Sequence, residues 1–332
     1  MLKCPFCGST FDAEQMNQAR YEDVASDAQP MTWSSEEQSG LLVYSCNSCG
    51  GEIIADASTG ATSCPYCNNP VVMTGQFSGK LRPDFIIPFK LDKNSAIEAL
   101  KRHYIKRPFL PSLFKTQNQL NEIKGIYVPF WHFDATMQAD IEFNAKKIRT
   151  WSDRDYNYTE TETYRVNREG YIQYFDVPVD ASLKMPDDMM DSLEPYNMRE
   201  AKRFNTAYMA GYLADKFDID QDECMPRAGN RMALSTERMF AETLIGFTSF
   251  SKTKSDIRYS NVKARYTLLP VWYLMTSWNN QDYTFAMNGQ TGKFVGELPV
   301  DKKKSNLAVL LITLGLFGIL AAMFTACMGG GL

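Results

Sequence analysis

Six of the eight cysteines of this chain occur in three CxxC pairs: Cys4 and Cys7, Cys46 and Cys49, and Cys64 and Cys67. Thiols spaced in this way suit metal binding in a reducing compartment better than a disulfide framework. The second and third pairs are 14 residues apart, close to the spacing of a four-cysteine zinc ribbon. The sequence therefore predicts one structural Zn²⁺ ion bound by the four cysteines of these two pairs.

The residues that follow the second and third pairs support this prediction. Each CxxC turn must be followed by a residue that tolerates a left-handed backbone, and Gly50 and Asn68 occupy these positions. A thioredoxin-like redox pair would instead begin a long helix, which the sequence does not supply here. Four unligated surface thiols would be an oxidation liability. A zinc ion with four protein ligands has no open position for a substrate.

The first pair, Cys4 and Cys7, has the same form but lacks a fourth CxxC to complete a second site. Its partners could be Cys224, His103 or His132, or the same pair from another chain. A knuckle encoded upstream of a mis-assigned start codon is the alternative that we favour. If none of these holds, the pair is metal-free.

An uncharged apolar segment of 22 residues covers 307–328. As a helix it would extend about 33 Å, the thickness of a bilayer core. A buried helix of a soluble protein would usually carry a polar stripe, which is missing here. Three lysines, 302–304, precede the segment, and no signal peptide is recognisable at the N-terminus. We expect a single-pass, tail-anchored protein of the cell membrane whose N-terminal body is cytoplasmic.

Charge is distributed unevenly along the chain. Residues 1–79 contain nine acidic and two basic residues, whereas residues 80–115 contain nine basic and three acidic ones. The basic segment includes a predicted helix with Ser95 as its N-cap and Lys101 and Arg102 on a polar face. This face could contact anionic headgroups, an RNA or the acidic ribbon lobe, or it could simply be solvated.

The remaining sequence predicts an α+β fold dominated by antiparallel sheet. Residues 125–175 are rich in β-branched and aromatic residues, and helical patterns cover Met198 to Phe217 and roughly Ser235 to Phe250. We expect a zinc-ribbon region at 1–78 (complete ribbon 44–72, half knuckle 4–7), an α+β cytoplasmic domain at 79–300, a basic linker at 301–306 and a transmembrane helix at 307–328.

Motifs for catalysis are missing. The sequence has no HExxH, GxSxG, GxxxxGK[ST] or GxGxxG pattern, and it contains only two histidines. The sequence therefore predicts a protein that is not an enzyme and has no small-molecule substrate.

The chain contains, in order, CxxC-14-CxxC, IIPFKLDKNSAIEALKR, YVPFWHFDA, YMAGYLADKFDID, LLPVWYL, FAMNGQTGKFVGELP and a single span. This order resembles bacterial TFIIB-type zinc-ribbon membrane proteins of phage-shock and envelope-stress operons. They are often labelled as relatives of a primosomal replication-restart helicase, but an ATP-driven motor needs a phosphate loop. The N-terminus departs from the family, in which two complete ribbons are expected.

The resemblance implies an adaptor that, with a second small membrane protein, recruits a flotillin-like soluble partner to the membrane. The leading hypothesis is thus a membrane-anchored zinc-ribbon adaptor that scaffolds proteins in the envelope stress response. The alternative is nucleic-acid binding through the ribbon. The acidic balance of residues 1–79 disfavours it, because that field repels phosphates.

Overall fold

The computed structural model describes residues 2–3, 10–11, 32–57, 59, 61, 63–77, 81–105, 107–111, 123–278, 280–296 and 298–329. The strands are β1 Leu2–Lys3, β2 Thr10–Phe11, β3 Leu41–Ser45, β4 Glu52–Asp56, β5 Val72–Gln76, β6 Phe85–Ile86, β7 Lys124–Ser152, β8 Asn157–Asp180, β9 Lys202–Arg203, β10 Leu213–Asp215, β11 Ser249–Trp278, β12 Gln281–Asn288 and β13 Phe294–Gly296. The helices are α1 Ser35–Ser39, α2 Lys93–Ile105, α3 Asp187–Leu193, α4 Gln221–Glu242 and α5 Lys302–Gly329.

Eleven of these strands form one mixed sheet, and β1 and β2 pair only with each other. The longest path through the large sheet is β13-β12-β11-β7-β10-β4-β3-β5. Off this path, β8 pairs with β7, β6 pairs with β11, and β9 pairs with β6. Two short pairings, β10 with β7 and β6 with β11, are parallel, and the others are antiparallel. The prediction of an α+β fold with a sheet that is mainly antiparallel is confirmed.

Three long strands give the molecule its extended part. β7, β8 and β11 contain 29, 24 and 30 residues, and we call their distal portions with the turn that joins β7 to β8, residues 136–175 and 249–260, the arm. Seventeen residues of β7 in the arm extend about 55 Å at about 3.3 Å per residue. Alternate side chains of β7 from Ala135 to Ala145 are buried, and those between them are polar. The period of two therefore gives the arm one apolar and one solvated face.

Helix α4 covers the apolar face of the arm. It begins at Asp220, whose side chain accepts hydrogen bonds from the backbone N–H groups of Asp222 and Glu223. Its buried residues recur with helical spacing: Cys224, Met225, Ala228, Gly229, Met232, Ser235 and Thr236. Beyond the helix end, Leu244 packs with Ile141 and Phe143 of β7.

An ion-pair cluster lies where the arm leaves the rest of the sheet. β7 and β11 contain register shifts between Phe133 and Ala135 and between Ser260 and Lys263. Arg265 donates to Asp134 at 2.6 and 2.8 Å and to Asp176 at 2.7 Å. Because all three side chains are largely buried, the cluster fixes the three strands to one another at this level.

The predicted helix from Met198 to Phe217 is wrong. The side chains of Asn197 and Asn205 accept hydrogen bonds from N–H groups two residues further on, and each starts a short 3₁₀ turn. Gly211 has a φ of +83°, and the three residues of β10 follow it. The second predicted helix is present but begins earlier, since α4 covers Gln221–Glu242. Helix α2 is capped by Asp92, which accepts from Ser95 N–H at 2.8 Å, and not by Ser95.

Of the described helices, α5 is long and apolar enough to cross a membrane. From Lys302 to Leu320 none of the segment is buried against the body of the protein. The strands that flank the CxxC turns, β3, β4 and β5, belong to the same sheet as the strands beyond residue 79. The domain boundaries that we expected from the sequence stay predictions.

Candidate metal centre

Two CxxC turns of the same backbone form carry the four cysteines. The N–H of Gly50 donates to the carbonyl of Cys46 at 2.8 Å, and the N–H of Asn68 donates to the carbonyl of Cys64 at 3.1 Å. Gly50 and Asn68 have φ angles of +69° and +59°, so the expected left-handed backbone is confirmed at both positions. The two turns are held by β3 and β4 on one side and by β5 on the other.

The four sulfur atoms form one compact cluster. All of them lie within 4.8 Å of one another, with Sγ–Sγ distances of 3.4 Å between Cys46 and Cys67 and 3.6 Å between Cys49 and Cys64. Tetrahedral coordination with Zn–S bonds of about 2.3 Å places sulfur atoms about 3.8 Å apart. The cluster can therefore hold a metal ion, and its donor set is compatible with Zn²⁺ and with a zinc ribbon.

Burial and hydrogen bonds shift the pKa values of these thiols. It raises the pKa of Cys49 and Cys64, since a thiolate is poorly solvated in the interior. Burial also acts on Cys67, but hydrogen bonds from the backbone and side-chain amides of Asn69 outweigh it and lower the pKa of Cys67 to about 6. A divalent cation would release the remaining protons, because metal ligation requires thiolates.

Two lysines that the sequence analysis did not single out attach the CxxC turns to the sheet. Lys124, at the start of β7, donates to the carbonyls of Ser63 and Cys64, both at 3.1 Å. Lys184, after β8, donates to the carbonyl of Cys49 at 2.8 Å. Their positive charges would offset the net negative charge of a metal with four thiolates. No local pattern distinguishes these lysines in the sequence, because each contact spans at least 60 residues.

A buried polar pair, Asp215 and Ser182, lies near the CxxC turns. Asp215 in β10 is 2% exposed and accepts a hydrogen bond from the hydroxyl of Ser182. Burial raises the pKa of Asp215 to about 7, and the hydrogen bond from Ser182 only partly opposes this effect. β10 pairs with β4 on one side and with β7 on the other, so it joins the strands that flank the CxxC turns to the long strands.

Among the described residues, the other candidate ligands Cys224 and His132 do not join the cluster. Cys4 and Cys7 lie outside the described residues, so the predicted half knuckle stays a prediction. Cys224 is buried in α4, where its thiol contacts the carbonyl of Asp180 at 3.7 Å. His132 is 1% exposed in β7, and burial followed by repulsion from Arg265 lowers its pKa to about 3.

A second group of charged residues joins α4 to α3. Arg227 contacts Asp180 and Asp191, each at 2.7 Å, and Arg231 contacts Glu194 at 2.7 Å. A cavity of about 430 Å³ opens beside Arg231 and Glu194. Each arginine is paired with carboxylates, so we assign these residues a structural role, although Oδ2 of the buried Asp180 has no hydrogen-bond partner.

The fold and the cysteine cluster define a class of protein: an α+β sheet protein with a four-cysteine site compatible with metal binding and an apolar C-terminal helix. No family profile and no solved structure matches the chain. The uncharacterized protein YdjG of Bacillus subtilis (strain 168) is 34% identical over 340 aligned residues, which cover 88% of this chain and 99% of YdjG. The chain belongs to the YdjG family.

Proposed function

We propose that the protein is a membrane-anchored zinc-ribbon adaptor that recruits protein partners to the cytoplasmic face of the cell membrane in the envelope stress response. The proposal rests on the combination of two features in one chain. Four cysteine sulfurs form a compact cluster, and an apolar helix is not buried against the rest of the protein. With four sulfur ligands, a zinc ion has no open position, which favours a structural role for the metal over catalysis.

The membrane part of the proposal rests on α5. Its apolar side chains are exposed, for example Phe317 at 73% and Leu320 at 63%, and a soluble protein would rarely leave so many uncovered in one stretch. Lys302, Lys303 and Lys304 at its N-terminal end favour a cytoplasmic body by the positive-inside rule.

The arm is the best candidate for a partner-binding surface. Its tip exposes three aromatic side chains, Trp151 at 51%, Tyr156 at 68% and Tyr158 at 39%. The rings of Trp151 and Tyr158 stack at 5.5 Å, so they present a fixed apolar surface. Aromatic residues dominate the energetics of protein interfaces, and pre-ordered rings lose little entropy on binding. The resemblance implies a second small membrane protein and a flotillin-like soluble protein as partners.

Affinity purification of the tagged full chain from solubilised membranes, with quantitative mass spectrometry, tests the adaptor role. We expect a reproducible set of partners that falls at least tenfold in a Trp151→Ala and Tyr156→Ala double variant. A matched Tyr171→Ala and Phe175→Ala variant removes two exposed rings, 76% and 55% exposed, from the shaft of the arm and should keep the partners. Recovery of no reproducible partner by the parent chain would count against the adaptor.

A filter-binding assay at low salt distinguishes the adaptor from a nucleic-acid-binding ribbon. We expect no tight, salt-sensitive binding of DNA or RNA, because residues 1–79 contain nine acids and two bases. Tight binding that is lost on Cys46→Ser substitution would favour the nucleic-acid hypothesis instead.

A further inference from the structure

Six exposed basic residues lie on two segments that contact each other where the body of the protein joins α5. We call this group the basic collar: Lys101, Arg102, Arg107, Lys302, Lys303 and Lys304. The first two lie near the end of α2, Arg107 lies in the turn that follows, and the last three form the first turn of α5. The two groups are nearly 200 residues apart in the sequence, so their meeting is a property of the fold.

Specific contacts bring the two groups together. The backbone N–H of Asp301 donates to the carbonyl of Phe109 at 2.8 Å, which places Lys302 next to the turn that contains Arg107. Leu298 packs against the core formed by α2 and this turn. The ring of His103 lies 4.6 Å from that of Phe294 in β13. The segment that leads into α5 is thus fixed along α2.

The collar has little internal charge compensation. Among the described residues, no carboxylate lies within ion-pair distance of the first five members, and Lys304 has Asp301 at 3.8 Å. Asp301 also accepts hydrogen bonds from the N–H groups of Lys303 and Lys304, so it serves as the N-cap of α5. A concentration of uncompensated positive charge at one end of an exposed apolar helix needs an anionic counterpart.

We propose that the basic collar binds the phosphate groups of anionic phospholipids in the leaflet at the N-terminal end of α5. The inference rests on the membrane anchor of the proposed function, because only insertion of α5 brings the headgroups to this level. Each lysine or arginine close to an anionic surface strengthens the attraction between the protein and the membrane. Lipid contacts made by the bases of α2 and its turn would hold the body of the protein in one orientation on the membrane. The α5 helix alone would leave the body free to rotate about the helix axis.

Native mass spectrometry of the full chain in a neutral detergent tests this proposal, with phosphatidylglycerol or phosphatidylcholine as added lipid. The test variant is Lys101→Gln, Arg102→Gln, Arg107→Gln, which leaves the lysines of α5 in place. Its matched control is Lys146→Gln, Arg149→Gln, Arg154→Gln, which removes three exposed bases from the arm. We expect the parent chain and the control to retain phosphatidylglycerol at least tenfold more tightly than phosphatidylcholine, and the test variant to lose most of that preference.

Several outcomes would overturn the proposal. One is an equal affinity of the parent chain for the two lipids, and another is an unchanged preference in the test variant. Displacement of the lipid by inorganic phosphate beyond the effect of sodium chloride at equal ionic strength would assign the collar to free phosphate. Loss of RNA retention in the test variant, with lipid binding intact, would assign it to nucleic acid.

Membrane insertion of α5 is tested in a separate experiment, without anionic lipid. After reconstitution into phosphatidylcholine vesicles, the chain should float with the vesicles and resist a carbonate wash. If it washes off, the anchor in the proposed function fails. If it stays while the preference for phosphatidylglycerol is missing, only the lipid-binding inference fails.

Discussion

The strands that flank the CxxC turns and the strands of the arm belong to one sheet, yet they are stabilised by different interiors. β3, β4 and β5 contain five residues each, and two of the cysteines, Cys46 and Cys64, are among the most buried side chains beside them. The arm instead buries Ile141 and Phe143 under α4. One end of the sheet thus has an interior that a metal ion could complete, whereas the interior of the other end is filled by side chains.

Removal of one cysteine should have the largest effect. Cys46→Ser should abolish metal binding, because three thiolates cannot close the cluster, and structural zinc sites contribute about 10 to 16 kcal/mol of apparent binding free energy. Elemental analysis of the detergent-purified chain should show one zinc per parent chain and none in the variant. Cys224→Ser, which removes a buried thiol outside the cluster, should retain the zinc.

The same analysis decides the status of the first pair. A Cys4→Ser and Cys7→Ser double variant should still contain one zinc per chain if these residues are a remnant or belong to a mis-started ribbon. A parent value near one and a half would instead indicate a site shared between two chains. A zinc content of zero in the parent chain would remove the basis of the comparison between the two ends of the sheet.

A truncation in the arm should destabilise the protein without loss of metal. Phe143→Ala removes a ring that is 2% exposed and packs beneath α4. Such truncations cost about 3 to 5 kcal/mol, and denaturant unfolding monitored by circular dichroism measures the loss. The zinc content should not change. A variant that also loses its zinc would show that the two ends of the sheet unfold together.

The junction between the two regions should show a pH dependence. Because burial raises the pKa of Asp215 to about 7 in the folded state, the folded chain binds a proton that the unfolded chain releases near pH 4. This group therefore lowers the free energy of unfolding as the pH rises from about 4 to about 7. Asp215→Asn should remove the decline and be more stable than the parent at pH 8 by up to about 4 kcal/mol, from three pH units at about 1.4 kcal/mol each.

Denaturant unfolding at pH 4, 6 and 8 measures this difference. Asp256→Asn, on the exposed face of the arm, is the control and should stay within about 0.5 kcal/mol of the parent at each pH. A constant offset for Asp215→Asn across the range would mean that the carboxyl is not protonated in the folded protein.

The lysine contacts should give the smallest effect. Lys184→Met removes the donor to the carbonyl of Cys49 and retains an apolar stem. By analogy with residues that support metal ligands, we expect zinc affinity to fall about 10 to 100-fold, measured by competition with a chromophoric chelator. Lys216→Met breaks only the exposed pair with Glu52 and should leave the affinity within twofold. Equal losses in the two variants would indicate a general charge effect.

Local patterns allowed the cysteine cluster to be predicted. The four cysteines fall within 22 residues, and the left-handed positions at Gly50 and Asn68 follow from the chemistry of a tight turn. The β-branched and aromatic residues of 125–175 likewise predict antiparallel strands. Each of these features depends on neighbours in the sequence, so a single sequence contains the necessary information.

Features that depend on distant partners were not predictable in this way. Tyr208 to Leu213 has a pattern that is compatible with a helix, but β10 forms because β4 and β7 provide hydrogen-bond partners on both sides. Lys124 and Lys184 gain their role only when the sheet brings the cysteines to them. The start of α4 was missed although its cap is local, since Asp220 accepts hydrogen bonds from N–H groups two and three residues further on.

The position of β10 in the chain has a consequence for synthesis on the ribosome. Ala214 of β10 pairs with Ile54 of β4, so the ribosome must add 160 further residues after Ile54 before this pairing can form. At about 5 to 20 residues per second, this interval lasts roughly 8 to 32 s. A cluster closed by metal can form from a short nascent segment well before then. We expect the cysteine segment to be occupied early and to spend this interval with one unpaired strand edge, which nascent-chain chaperones would have to cover.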